Sequence, residues 1–274
     1  MSEHVQRQFP SERPVTLKVE IGSGRVQVAA TDTTTTTVEV TGRDADQVTI
    51  EQSGDTIAVI APRSRVLSID RRYDVRVSLP TDSTLAVKVG SAELTVTGRI
   101  GDCSLKSGSG DIRLEEVSGD ASVLVGSGDV TITGRAGRLQ VKSGSGNVQV
   151  ASADDAHVIT GSGNVWIGET GAATDIKTGS GNLRLDSARG EIAVIAASGD
   201  LTVGRIGSGE VRAKSASGDV RIGIPQGTPV WTDISTISGD ARAELESAGP
   251  AEEGQDHVVV RATTVSGRVL LHHA

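Results

Sequence analysis

An acidic or amide residue follows a glycine at seven evenly spaced places: Asp111, Asp129, Asn147, Asn164, Asn182, Asp200 and Asp219. Carboxylates recurring one glycine turn apart suggest first the chemistry of a calcium-binding β-roll. That roll needs its liganding Asp two residues after the glycine. Here the position holds Ile112, Val130, Leu201 and Val220, so the column reads as turn-stabilising Asp and Asn bonded to local backbone. The three asparagines also interrupt a stack of like charges. Glycan cleavage would need a carboxylate pair set apart from the repeat, whereas the acids here mostly recur with it. His4, His157, His257, His272 and His273 show no HxH or HExxH array. Cys103 is the single cysteine, too few for a disulfide within the chain or a thiolate metal site. The GSG strings lead into aliphatic alternation, whereas a phosphate-cradling loop must open a helix. Arg63, Arg65, Arg71 and Arg72 form the one basic cluster; diluted by Asp70 and Asp74, it reads as a solvated loop. No catalytic residue, cofactor or metal site is expected.

The residues of the column belong to a repeat. Its glycine falls at Gly110, Gly128, Gly146, Gly163, Gly181, Gly199, Gly218, Gly239 and Gly267, with Ala92 in the glycine's place in a degenerate first copy. The spacing stays between 17 and 19 residues through Gly218, then widens to 21 and 28. After each turn comes an apolar, exposed, apolar triplet such as Ile112/Leu114, Val148/Val150 or Leu183/Leu185, the period of a half-buried strand. A second ladder fills the other half of each unit: Leu105, Val123, Val141, Val158, Ile176, Val194 and Ala213. Two short strands per unit, closed by glycine turns, predict an all-β, parallel β-solenoid of about 18-residue coils. Two Trp, one Tyr and one Phe in 274 residues agree with a narrow interior of aliphatic side chains.

The expected organisation is a polar tail over residues 1–14, an irregular N-terminal β cap over 15–82 and solenoid repeats over 83–243. An acidic loop and C-terminal capping strands follow over 244–274.

Outward columns supply the candidate binding surface. Four residues before each main-turn glycine stand Lys106, Leu124, Lys142, Ile159, Lys177, Ile195 and Lys214, cations and aliphatics in alternation. Such alternation avoids stacking like charges while Lys stems cover apolar neighbours, and it also makes a ridged docking edge. A second column runs Arg113, Thr131, Gln149, Trp166, Arg184, Thr202, Arg221 and Arg242. Within it Trp166, flanked by Arg184, is the type of residue enriched in binding hot spots.

The formal charge is −8, from 27 basic and 35 acidic residues. This argues against nucleic acid or an anionic membrane engaged through bulk charge. The first residues show no apolar export-signal core and no segment is long enough to span a bilayer, so the expected location is the cytoplasm, without membrane insertion.

The copies SGSGDIRL, VSGDASV, GSGDVTI, SGSGNVQV, TGSGNVWI, TGSGNLRL, ASGDLTV and ASGDVRI follow the stretch YDVRVSLPTDSTLAVKVGSAELTVTG. From about Val15 to its end the chain resembles the bacterial putative-adhesin family of β-strand-repeat domains of unknown function. The resemblance implies a non-enzymatic β-solenoid and carries no catalytic residues. The function expected is therefore an interaction or scaffold module that displays its repetitive surface to a protein partner or to another copy of itself. A surface adhesin recognising glycan or a cell surface is the alternative, although no residue pattern specifies a glycan. A polysaccharide-active enzyme stands behind both.

Overall fold

The computed structural model describes residues 3–62, 72–246, 249 and 254–274. Arg63, Arg65 and Arg71 of the basic cluster lie outside the described residues. The chain divides into two compact units, Met1–Val141 and Lys142–Ala274.

The strands in chain order begin with β1 (Glu3–Pro10), β2 (Thr16–Ile21), β3 (Ser23–Thr31) and β4 (Thr35–Gly42). A three-residue 3-10 turn, Ala45–Gln47, precedes β5 (Thr49–Ser53), β6 (Thr56–Ile60), β7 (Arg72–Pro80), β8 (Thr84–Val89) and β9 (Glu93–Ile100). The repeats supply β10 (Cys103–Ser107), β11 (Ile112–Val117), β12 (Ala121–Val125), β13 (Val130–Ser143), β14 (Val148–Thr160), β15 (Val165–Thr170) and β16 (Ala173–Ser180). They continue through β17 (Leu183–Ser198), β18 (Leu201–Ser217) and β19 (Val220–Ile224). Last come β20 (Val230–Thr236), β21 (Asp240–Glu244), β22 (Val258–Ser266) and β23 (Arg268–His273).

Each unit is a stack of parallel coils, as the period of the repeat requires. In the first unit one face runs β6, β2, β8, β10, β12, and the other runs β7, β3, β9, β11, β13. In the second unit β14, β17 and β18 each turn a corner without leaving extended conformation. One face comprises the C-terminal parts of β14, β17 and β18 with β16, β22 and β20. The other comprises their N-terminal parts with β15, β19, β23 and β21.

The expected ladders are the core. Val148, Val150, Val158, Ile167, Ile176, Leu185 and Val211 are no more than 1% exposed. Fully burying one such side chain is worth roughly 1.5–3 kcal/mol. The structure adds a third inward column at the corner: Ile100 beside Val117 and Val117 beside Ala136 in the first unit, Ala153, Thr170, Ala188 and Ile206 in the second. One aromatic also enters the core, Tyr73, 2% exposed and packed beside Gly24 and Gly42.

At both ends of the chain the stacking order departs from the sequence order. Residues 3–10, expected as a tail, form β1, antiparallel to β4, with Val5 and Phe9 half-buried. The coil of β2 and β3 already belongs to the stack instead of an irregular cap. Only afterwards does the chain cover the stack's end, with β5 antiparallel to β6 and β4 antiparallel to β7. The C-terminal strands do not cap the repeats either. β22 and β23 insert between the β18/β19 coil and the β20/β21 coil. Hydrophobic burial favours the exchange: Val258, Val260, Ala262, Val269 and Leu271 together present more apolar surface to be covered on both sides than their counterparts Val230, Thr232, Ile234, Ala241 and Ala243 would.

Candidate interaction faces

The Asp/Asn column has a role different from a local turn bond. Asn164 Oδ1 accepts the backbone N–H of Asn182 at 2.9 Å, Asn182 Oδ1 that of Asp200 at 3.0 Å, and Asp200 Oδ1 that of Asp219 at 2.9 Å. The ladder extends from Asp219 Oδ1 to the N–H of Arg268 at 2.8 Å, and in the first unit Asp111 Oδ1 takes the N–H of Asp129 at 3.0 Å. Each side chain thus bonds the next coil. The second carboxylate oxygens meet arginines: Arg113 with Asp111, and Arg221 with both Asp219 and Asp200. The turns are also clamped from within. Ser143 Oγ donates to the carbonyl of Gly146 and accepts its N–H, as Ser107 does with Gly110. Among the described residues no group of three or more His, Cys, Asp or Glu side chains is arranged to hold a metal ion.

The cation and aliphatic column becomes a physical ladder in the second unit. Ile159 lies beside Lys177, Lys177 beside Ile195 and Ile195 beside Lys214, at the roughly 4.8 Å spacing of paired strands. Ile159 is half-buried, Ile195 is 49% exposed, and both lysines are exposed. Asp175 receives Lys177 Nζ at 3.6 Å and His157 Nδ1 at 3.2 Å. Lys214 forms no ion pair with another described residue. Lys142 is exposed on β13.

In the first unit Lys106 stands beside Leu124, which is 49% exposed. Its other neighbour is Lys88, so alternation fails there. Exposed Lys stems tolerate this stacking because water screens the charges.

Trp166 and Arg184 are neighbours on the other face of the second unit, so they do not continue the Lys/Ile ladder. Trp166 is 36% exposed and held in place: its Nε1–H donates to Asp186 Oδ2 at 3.0 Å while Asp186 Oδ1 receives Arg184 Nε at 2.6 Å. The expected order of this column also changes, because Leu270 stands between Arg221 and Arg242. Asp186 is the next outward residue after Arg184 in the alternation of β17, and that period of two is the signal that marks it.

A cluster beside the Lys/Ile ladder was not legible. Glu210 receives Arg212 Nε at 2.9 Å and Arg261 Nη1 at 2.5 Å, and the Arg261 guanidinium lies 5.4 Å from the Trp231 ring centre. Arg261 reaches Glu210 only because β22 takes the inner place. Cys103, by contrast, is buried, and that burial pushes its thiol up to about 12.

Parallel coils, bonded side chain to backbone from rung to rung and carrying ordered outward columns, define a β-solenoid repeat domain. The chain belongs to the Toastrack DUF4097 family, whose model matches residues 15–272. Similar solved structures include a putative adhesin from Parabacteroides merdae, 11% identical over 98% of this chain and 96% of that one, with a TM-score of 0.46. Another is a putative adhesin from Bacteroides fragilis, 12% identical over 98% and 97%, at 0.41. A third is a putative lipid binding protein from Parabacteroides distasonis, 11% identical over 97% and 96%, also at 0.41. The search of curated proteins returned no match.

Proposed function

We propose that the chain is a non-enzymatic, cytoplasmic interaction module whose second unit docks a protein partner along the Ile159, Lys177, Ile195, Lys214 ladder. The observation that carries this reading is the rung-to-rung register of those four residues. The backbone pre-orders them, so association loses little side-chain or loop freedom beyond the lysine stems. Rungs repeat at about 4.8 Å, close to the 5.4 Å advance of one helical turn. A helix lying along the ladder with apolar and acidic residues on alternate turns would meet Ile195 with its apolar group and both lysines with its acids.

The test is capture from native cell lysate on the immobilised full chain, with the bound proteins quantified. The expected result is a stoichiometric partner lost on Ile195→Asp combined with Lys214→Glu and retained on Trp166→Ala. Loss on Trp166→Ala with retention on the double variant would move the site to the opposite face. No captured partner with any bait would overturn the reading.

A further inference from the structure

We propose that the coil of β20 and β21 pairs with the same coil of a second copy, joining two molecules about a twofold axis. These strands occupy the outer end of the second unit's stack, and among the described residues each has one strand neighbour, β22 for β20 and β23 for β21. Their core-facing side chains are not enclosed: Thr232, Ala241 and Ala243 are exposed, and Val230 and Ile234 are half-buried. One rung further in, Val258, Val260, Ala262, Val269 and Leu271 are at most 1% exposed. Ile237, at the turn joining the two outer strands, is 80% exposed. The first unit shows the alternative arrangement, in which antiparallel strands β4 and β5 cover the outer coil.

The geometry selects the occupant. Two edge strands running in opposite directions end the same stack. A single peptide strand would satisfy one edge and leave the other bare. A second copy offers both at matching separation, and a twofold axis across the stack sets β20 antiparallel to β20 and β21 antiparallel to β21, a self-complementary contact.

Charge then restricts the register. The outward residues of β21 are Asp240, Arg242 and Glu244, while Ala241 and Ala243 face the buried Val269 and Leu271 columns. Antiparallel pairing centred on Ala241 sets Arg242 opposite the second copy's Asp240, and pairing centred on Ala243 sets it opposite the second copy's Glu244. Centring on Arg242 would oppose like charges along the whole strand, which cross-strand pairing disfavours. An alanine therefore lies on the axis, directly opposite itself.

The test uses the full chain in sedimentation velocity and disulfide trapping. A dimer is expected at concentrations on the order of 10 μM. Either Ala241→Cys or Ala243→Cys should form a covalent dimer under mild oxidation, with buried Cys103 taking no part. Adding Arg242→Glu should weaken association at least about tenfold. Inverting all three charges with Asp240→Arg, Arg242→Glu and Glu244→Arg should restore it. Circular dichroism of each variant checks that it remains folded. A chain that stays monomeric at about 100 μM, trapping by neither cysteine, or a dimer indifferent to Arg242→Glu would overturn the proposal. Ile195→Asp with Lys214→Glu should leave the dimer intact, which separates this contact from the ladder.

Discussion

The side-chain carbonyl of Asn164 accepts the backbone N–H of Asn182, a residue in the same position one coil further on, at 2.9 Å. A local turn preference would have needed nothing from the neighbouring coil. The bond instead makes each turn the template for the next, because the exposed corner N–H is satisfied only when the adjacent Asp or Asn is in register.

Replacing Asn164 therefore separates two explanations of the column. Asn164→Gly keeps the backbone freedom of a turn but removes the acceptor, and should cost about 1–2 kcal/mol in urea unfolding. Asn164→Asp retains an acceptor and should cost less. Equal stability of the glycine variant and the native chain would return the column to a local turn role.

Gly199 and Gly207 should respond oppositely to alanine. Gly199 has φ +121°, and a Cβ there would stand 2.2 Å from the carbonyl oxygen of Gly181. Alanine at this position should cost more than about 2 kcal/mol, or shift the two coils apart. Around Gly207 nothing lies within 4 Å of such a Cβ. Gly207→Ala should be neutral or stabilising by up to about 1 kcal/mol. Thermal unfolding of the two variants provides the comparison.

Val148 and Gln149 test the strand register directly. Val148 is fully buried and Gln149 exposed. An aspartate at position 148 loses the burial of a valine and places an unpaired carboxylate in an apolar column. Val148→Asp should thus cost more than about 4 kcal/mol and leave little folded protein. Gln149→Asp should stay within about 0.5 kcal/mol of the native chain.

Cys103 should resist alkylation at pH 8 in the native state and react once urea unfolds the chain, since burial holds its thiol near 12. Its raised pKa also fixes the sign of an alkaline effect. The contribution of the neutral thiol is fully present below the ordinary value of 9.0 and is lost as pH rises from there towards about 12. Cys103→Ala should therefore flatten part of the fall in stability across that window. An unchanged alkaline slope would assign the fall to other groups.

The sequence by itself determined the coil. The glycine interval and the aliphatic period of two place Val148, Val158, Ile176 and Leu185 in the core, because a coil forces every equivalent residue into one column. The same spacing brought Ile159, Lys177, Ile195 and Lys214 into one ladder. Local pattern could not supply the order of coils at the ends. The spacing places Gly239 next after Gly218, yet the neighbour of Gly218 is Gly267, whose Cβ would stand 2.1 Å from the Gly218 carbonyl oxygen. Parallel coils of similar width can stack in more than one order, and competition for the doubly covered inner position settles which wins. That choice exposed Trp231 and Ile237 at the end of the stack, placed Leu270 between Arg221 and Arg242, and carried Arg261 to Glu210. These contacts depend on burial summed over whole coils, a quantity that only the tertiary structure decides.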